Sequence, residues 1–176
     1  MSSLSNIQSA AVAKVLGDRC LGKITLAINA GGAATVKSTG AIIFSITGVA
    51  YTHAALSNQA ITVTHGCFGE LVAAYPAKYT QPVLTTVFYV LALNAAGTLA
   101  VVQGSYAGQS LTFGEDKSKV LIGTGAIPIE PDGYTAIGVI KVALAGSATF
   151  NPATTALDAT DVTATYYDVS VLPASL

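Results

Sequence analysis

Residues 85–103 read TTVFYVLALNAAGTLAVVQ, and this stretch decides the fold. Its first part, residues 85–93, is dense in the β-branched and aromatic residues that favour strands. Residues 94–97 read as a turn, and Leu99–Gln103 is apolar again over the length of a strand. The stretch therefore predicts a β-hairpin.

The hydrophobic period of two continues on both sides of this hairpin. Apolar residues alternate with more polar ones in residues 23–29 and 41–47, and Ile61 and Val63 repeat the pattern. This spacing is typical of strands that bury one face. Further along the chain, residues 134–144 form the longest strand candidate and residues 161–171 form the last one.

Turn residues separate these candidate strands. The turns are predicted at residues 31–32, 123–125, 130–133 and 151–152, where Gly, Pro, Asn and Asp are concentrated. Seven to ten short strands separated by such turns describe an antiparallel sandwich or barrel. We therefore expect an all-β, single-domain fold with a β-rich domain over residues 21–176.

Residues 1–20 differ from this pattern and are predicted to form an N-terminal helix or arm. Leu4, Ile7, Ala11 and Val15 recur at helical spacing, and Gly17 offers a C-terminal stop. An apolar stripe near a terminus indicates docking, either on the chain's own body or on a neighbouring subunit. These four residues are the predicted partner contacts.

The composition restricts the possible classes of function. Of the 176 residues, 52% are hydrophobic and 10% are charged, whereas soluble chains usually carry about a quarter charged residues. A mean hydropathy of +0.60 means that apolar area must be covered by a membrane, a large interface or a fibre. Because the longest apolar run, residues 87–93, has only strand length, no spanning helix and no membrane partner is expected.

The sequence also predicts that the protein does not bind nucleic acid. The net charge is -1 and the eight basic residues are scattered, so they form no patch for phosphates. The shortage of charge instead favours a protein whose apolar surface is occupied by copies of itself or by another protein.

The sequence offers weak candidates for catalytic or metal chemistry. His65 and Cys67 would project to one face of a strand and could ligate zinc, but a complete site would need His53 and Glu70 to converge on them. Two ligands do not make a site, so no metal, cofactor or catalytic residue is predicted.

A calcium loop and a nucleophile elbow are equally weak. Asp158 and Asp161, with Asn151 nearby, lack the spacing of the familiar calcium loop and resemble turn and strand-entry residues. Residues 108–112 lack the closing glycine of a nucleophile elbow. With nine carboxylates and two histidines in the chain, we expect a non-enzymatic protein.

The cysteines and tyrosines have ordinary structural interpretations. Cys20 and Cys67 are too few for a disulfide scaffold and are expected to be small buried side chains. The chain has eight tyrosines, which suit core edges, an interface or a sugar-binding groove.

Several segments carry a resemblance to a known class of proteins. The segments are residues 89–97, 102–104, 136–142, 149–158, 165–169 and 172–173, with a looser likeness in residues 35–55. They resemble accessory structural proteins of tailed bacteriophages, among them capsid decoration or cement proteins and head or tail fibres. The resemblance implies a β-rich module of the virion and carries over no functional residue.

Together these observations predict a virion structural protein. Its expected role is capsid decoration or cement: a homotrimer, assembled in the host cytoplasm, that binds the major capsid protein or other virion proteins and stabilises the shell. Small size, the absence of a fibrous repeat and the apolar first segment favour the capsid. The alternative is a receptor- or glycan-binding module of a phage fibre or baseplate, which would use tyrosine-lined pockets.

Overall fold

The computed structural model describes residues 17–66, 80–106, 110–112, 119–121, 125 and 127–169. These residues form twelve strands and no α-helix. The strands are β1 (Arg19–Cys20), β2 (Ala27–Ile28), β3 (Thr35–Lys37), β4 (Ile42–Ile46), β5 (Val49–His53), β6 (Gln59–Ala60), β7 (Thr86–Asn94), β8 (Leu99–Gln103), β9 (Ser110–Thr112), β10 (Lys119–Leu121), β11 (Tyr134–Leu144) and β12 (Val162–Asp168).

The largest sheet has four antiparallel strands in the order β12-β11-β7-β8. Its centre contains the predicted hairpin, because β7 pairs with β8 up to Leu93 opposite Leu99. The side chain of Asn94 fixes the turn by accepting hydrogen bonds from the backbone N–H groups of Ala96 and Thr98. Gly97 completes the turn with a φ of 78°. The hairpin prediction is confirmed.

Strand β7 is buried on both faces. All residues from 87 to 93 are buried, and alternate side chains enter two different clusters. Val87, Tyr89 and Leu91 face the main core, whereas Phe88 and Val90 pack with a smaller cluster on the opposite face of the sheet. A strand buried on both faces reads as a continuous apolar run instead of an alternation, as this one does.

Strand β11 carries a β-bulge that fits it to the core. Its register with β7 shifts between Ala136 and Gly138, so Ile137 is the extra residue, and its side chain is fully buried in the main core. A Cβ atom on Gly138 would lie 3.1 Å from Leu26 and 3.4 Å from Ile24. Glycine at this position therefore lets the segment around Ile24 and Leu26 pack directly on β11.

Two three-stranded sheets, β1-β4-β5 and β2-β3-β6, complete the main core, and β9 and β10 pair as a separate ribbon. Strands β4 and β5 are joined by Thr47 and Gly48, whose φ angles of 49° and 81° are typical of a type I′ hairpin turn. The core-facing residues Ile42, Phe44 and Ile46 of β4 are buried, as the alternation predicted. The sheets pack together in the manner of a β-sandwich.

The all-β prediction is confirmed, with differences in detail. The predicted strand at residues 134–144 coincides with β11, and the one at residues 161–171 contains β12. The prediction was too long at residues 23–29, where only Ala27–Ile28 is a strand, because Thr25 has a φ of 48° that interrupts extended backbone. Ile61 and Val63 are buried as expected but lie outside any strand. The predicted N-terminal helix or arm lies outside the described residues.

A buried glutamine joins the loop before β7 to the sheet. Gln81 is fully buried and exchanges two backbone hydrogen bonds with Phe150. Its side-chain amide donates to the carbonyl oxygens of Thr85 at 2.9 Å and Val142 at 3.0 Å, and its side-chain oxygen accepts a bond from the hydroxyl of Tyr89. That hydroxyl in turn accepts a bond from the side chain of Gln103. The network therefore connects β7, β8 and β11 inside the core.

Replacing Gln81 with Met should destabilise the protein by about 3 kcal/mol, because buried polar groups would lose their partners while the volume stays similar. Urea unfolding followed by fluorescence or circular dichroism measures the change. Gln59→Met is the matched control, since the Gln59 side chain is half-buried and its amide donates to the neighbouring Ala60 carbonyl oxygen. Its expected cost is below about 1 kcal/mol. Equal losses in the two variants would contradict the prediction.

Candidate interaction surface

Three aspartates hold distant parts of the backbone together. Each accepts hydrogen bonds from a main-chain N–H group in a distant loop: Asp18 from Thr47, Asp158 from Gly32 and Asp168 from Thr25. Asp168 also lies 3.8 Å from the Lys23 ammonium group, which is largely exposed. These carboxylates hold loops together and do not converge on a common point, so they offer no acid–base pair.

The structure does not bring the calcium candidates together. Both oxygens of Asp158 lie within 3.0 Å of the Gly32 N–H group. The carboxylate of Asp161 instead lies beside Gly146, so close that a Cβ there would be 2.5 Å from it. Asn151 uses its backbone carbonyl to close a turn with Thr154 and Thr155. Their interpretation as turn and strand-entry residues is confirmed.

The two described zinc candidates, His65 and His53, make different contacts. His65 is buried beside β8, with its ring 2.9 Å from the Thr64 hydroxyl and in edge contact with Tyr134. His53 lies at the end of β5, where its Nδ1 is 2.6 Å from the Ala54 carbonyl oxygen. Cys67 and Glu70 lie outside the described residues. Within the described part of the chain, no three His, Cys, Asp or Glu side chains form a group able to hold a metal ion.

Cys20 is a buried thiol, as predicted. Its Sγ lies 3.1 Å from the Gly22 carbonyl oxygen, and the side chain packs in the main core. Burial raises the pKa of this thiol, and the nearby charge of Asp168 adds to the shift. A raised pKa lowers the fraction of reactive thiolate at neutral pH, so Cys20 has the character of a core residue.

Three of the described tyrosines pack in the core or at its edge. Tyr89 is fully buried inside the main core, whereas Tyr51 stacks on Phe44 with ring centroids 5.7 Å apart and Tyr166 packs on the main core as a partly buried residue. Burial, together with the charge of Asp158, raises the pKa of Tyr166 to about 12. The core-edge interpretation therefore accounts for Tyr51 and Tyr166, and Tyr89 is a core residue.

The exposed apolar side chains remain without such an explanation. Leu21 and Ile43 are 41% and 48% exposed and lie next to each other, since the Leu21 N–H donates to the Ile43 carbonyl oxygen. They share the outer face of the β1-β4-β5 sheet with Ala50 and Thr52 of β5, which are also exposed. We call these four residues the outer patch. Sequence periodicity alone missed it because Ile43 sits in an apolar run, where the exposed face has no polar marker.

Three further large apolar side chains are exposed among the described residues. Val49, at the start of β5, is 52% exposed, and Leu84 and Ile129 are 49% and 76% exposed in loops. The predicted partner contacts Leu4, Ile7, Ala11 and Val15 lie outside the described residues. In the described part of the chain, no helix has the length and apolar character needed to cross a membrane.

Replacing His65 with Ala should reduce the free energy of unfolding by about 1 to 3 kcal/mol, because a buried ring and its contacts are lost. Chemical denaturation measures this cost. The metal content of the purified wild-type protein should show no stoichiometric zinc by plasma mass spectrometry. Zinc at one atom per chain that disappears in the His65→Ala variant would contradict our interpretation of His65 as a core residue.

The stability should fall as the pH rises above about 10, because the unfolded chain then ionises its tyrosines while the folded chain keeps Tyr166 protonated up to a pKa of about 12. The contribution is fully present below the unfolded pKa and is lost as pH rises through the folded one. Tyr166→Phe should reduce this alkaline decline in part, because burial also raises the pKa of Tyr89, which still contributes. The melting temperature from pH 8 to 11 measures the decline. Identical profiles for wild type and Tyr166→Phe would contradict the prediction.

Comparisons with known protein families, with curated proteins and with solved structures find no match for this chain.

Proposed function

We propose that this chain is a non-enzymatic structural protein of a tailed-virus particle, most specifically a capsid decoration or cement protein. In this proposal the chain self-associates, with a homotrimer as the favoured assembly, and binds the major capsid protein or other virion proteins. Assembly takes place in the host cytoplasm. Two observations support the proposal: the sequence resemblance to phage accessory proteins, and the exposed apolar side chains of the structure.

The observation that carries the proposal is the distribution of apolar and charged groups. The exposed apolar side chains of Leu21 and Ile43 lie together in the outer patch, while Asp18, Asp158 and Asp168 hold loops of the chain's own backbone. A surface with apolar patches and few free charges suits a protein that works by contact. Many copies on a lattice would add avidity to a modest contact without any chemistry.

The arrangement of the described ionisable groups supports a non-enzymatic role. General acid–base catalysis needs titratable side chains that converge on one position. Asp158 and Asp161 instead serve separate loops, and the two histidines contact the main chain or a threonine hydroxyl. The scaffold therefore uses these groups to fix its own shape.

The direct test is to locate the chain on purified virus particles by chemical cross-linking and mass spectrometry. We expect cross-links from exposed lysines such as Lys23 and Lys37 to the major capsid protein and to further copies of this chain. Cross-links confined to fibre or baseplate proteins, combined with binding on a glycan array, would instead establish the receptor-binding alternative and contradict the proposal.

Deleting residues 2–16 tests the role of the N-terminal segment in attachment. We propose that this segment is an arm that binds a neighbouring subunit or the shell. The deletion retains Gly17, whose carbonyl oxygen accepts a hydrogen bond from Ser45, and Asp18, which caps the β4–β5 turn. The melting temperature should therefore stay within a few degrees of wild type, while attachment to particles weakens.

A full-length variant with Ser5→Ala and Gln8→Ala is the matched control, because it changes polar positions and keeps the stripe of Leu4, Ile7, Ala11 and Val15. It should attach like wild type. Co-sedimentation with particles lacking the wild-type protein measures attachment. Loss of folding in the deletion variant, or its full attachment to particles, would contradict the arm hypothesis.

A further inference from the structure

Strand β5 is an edge strand with free backbone groups. In the β1-β4-β5 sheet, β4 is its only partner among the described residues. The Leu21 N–H donates to the Ile43 carbonyl oxygen at 2.8 Å, so the backbone groups of Ile43 point toward β1. Because these groups alternate in direction along an antiparallel strand, Phe44 and its even-numbered neighbours bond to β5.

The same alternation determines which groups of β5 point outward. Ala50 and Thr52 lie opposite Ser45 and Ile43, whose backbone groups face β1. Their own N–H and C=O groups therefore point away from β4, toward the open edge. Within the described part of the chain, no backbone or side-chain atom makes a hydrogen bond to these groups.

Among the described residues, the edge also lacks the features that usually prevent strand addition. Natural edge strands are protected by lysines, prolines, bulges or a covering segment. The residues of β5 are Val49, Ala50, Tyr51, Thr52 and His53, which include no lysine and no proline, and their pairing with β4 is regular. Val49, Ala50 and Thr52 are exposed.

We propose that β5 pairs antiparallel with β5 of a second copy of this chain across a two-fold axis. The axis would pass beside Tyr51, so that Ala50 pairs with Thr52 of the second copy and Thr52 pairs with its Ala50. Both of these residues carry outward-pointing groups, so each pair exchanges its two hydrogen bonds. The two β1-β4-β5 sheets become one continuous sheet, and the two outer patches join into one surface.

The absence of charged residues from β4 and β5 favours a second copy of this chain as the partner of the edge. A two-fold contact places every residue near its own counterpart, so a charged residue close to the axis would be repelled by its copy. Strands β4 and β5 and the turn between them contain no Asp, Glu, Lys or Arg. The register also places the exposed Val49 beside His53 of the second copy, which partly covers this apolar side chain.

This inference goes beyond the proposed function, because it concerns the purified chain without any particle. A two-fold contact is complete once two copies have joined, and it leaves no β5 edge open for a third copy. If a threefold contact forms through another surface, the β5 contact would join two trimers. The number of subunits in solution should therefore be even.

Sedimentation velocity on the full chain, from micromolar to near-millimolar concentration, tests the proposal. The wild-type protein should associate reversibly into species with an even number of subunits. Thr52→Pro removes an outward N–H that the subunit's own β4–β5 pairing does not use, and Thr52→Lys adds a charge near the axis. Each variant should weaken the association by about tenfold or more, which corresponds to about 1.4 kcal/mol.

Thr163→Lys is the matched control, because Thr163 is an exposed threonine in another edge strand, β12, and lies opposite Ala143. It should associate like wild type. Circular dichroism and melting temperature verify that each variant is folded. A wild-type monomer at every concentration, an odd-numbered assembly, or Thr52 variants that associate as tightly as wild type would overturn the proposal.

Hydrogen exchange provides a readout that needs no substitution. The amide protons of Ala50 and Thr52 should exchange rapidly in dilute protein and slow by at least about tenfold as the concentration rises, because pairing hides them from water. Nuclear magnetic resonance resolves the individual amides. Exchange at these two positions that stays fast while the protein associates would show that the contact lies elsewhere, and would overturn the proposal without affecting the test on particles.

Discussion

The fold depends on the central strand β7, which is buried along seven consecutive residues on both faces. No water reaches such a strand, so each of its backbone N–H and C=O groups needs a partner within the protein. Strand β8 on one side and β11 on the other supply those partners. The side chains on one face of β7 pack in the main core, and those on the other face pack in the smaller cluster around Phe88 and Val90. The other sheets cover surfaces that this strand creates.

The sequence predicted the elements that depend on local pattern. The β7–β8 hairpin follows from a strand-length apolar run and a turn with asparagine and glycine, and β11 follows from alternation between two turn signals. The errors lie where tertiary contacts decide the backbone. Residues 23–29 alternate like a strand, yet Ile24 and Leu26 pack against Gly138 and the Thr25 N–H donates to Asp168, contacts that a period-two pattern cannot reveal. The bulge at Ile137 likewise depends on the register with β7.

The candidate surface was less accessible to sequence reasoning than the fold. The pattern correctly placed Asp158 and Asp161 in turns, but it could not identify what they contact. Asp158 bonds to Gly32, more than a hundred residues away, and Asp161 lies beside Gly146, fifteen residues away. The exposure of Leu21 and Ile43 depends on which strands flank β4, and an apolar residue has the same sequence signature whether or not its face is covered. Edge position is a property of sheet order, so only the structure could identify β5 as an edge.

The small number of charged residues favours association of two copies through the open edge of β5. The net charge of the chain is only -1, so electrostatic repulsion contributes little to keeping copies of the protein apart. At the β5 edge, neither charge repulsion nor a covering segment among the described residues opposes the approach of another strand. Monomeric proteins usually avoid this combination because it leads to uncontrolled aggregation. A two-fold contact resolves the problem, since the pairing of one edge with its own copy consumes both edges and leaves none for a third chain. Association through β5 would therefore limit aggregation at this edge as well as build an assembly.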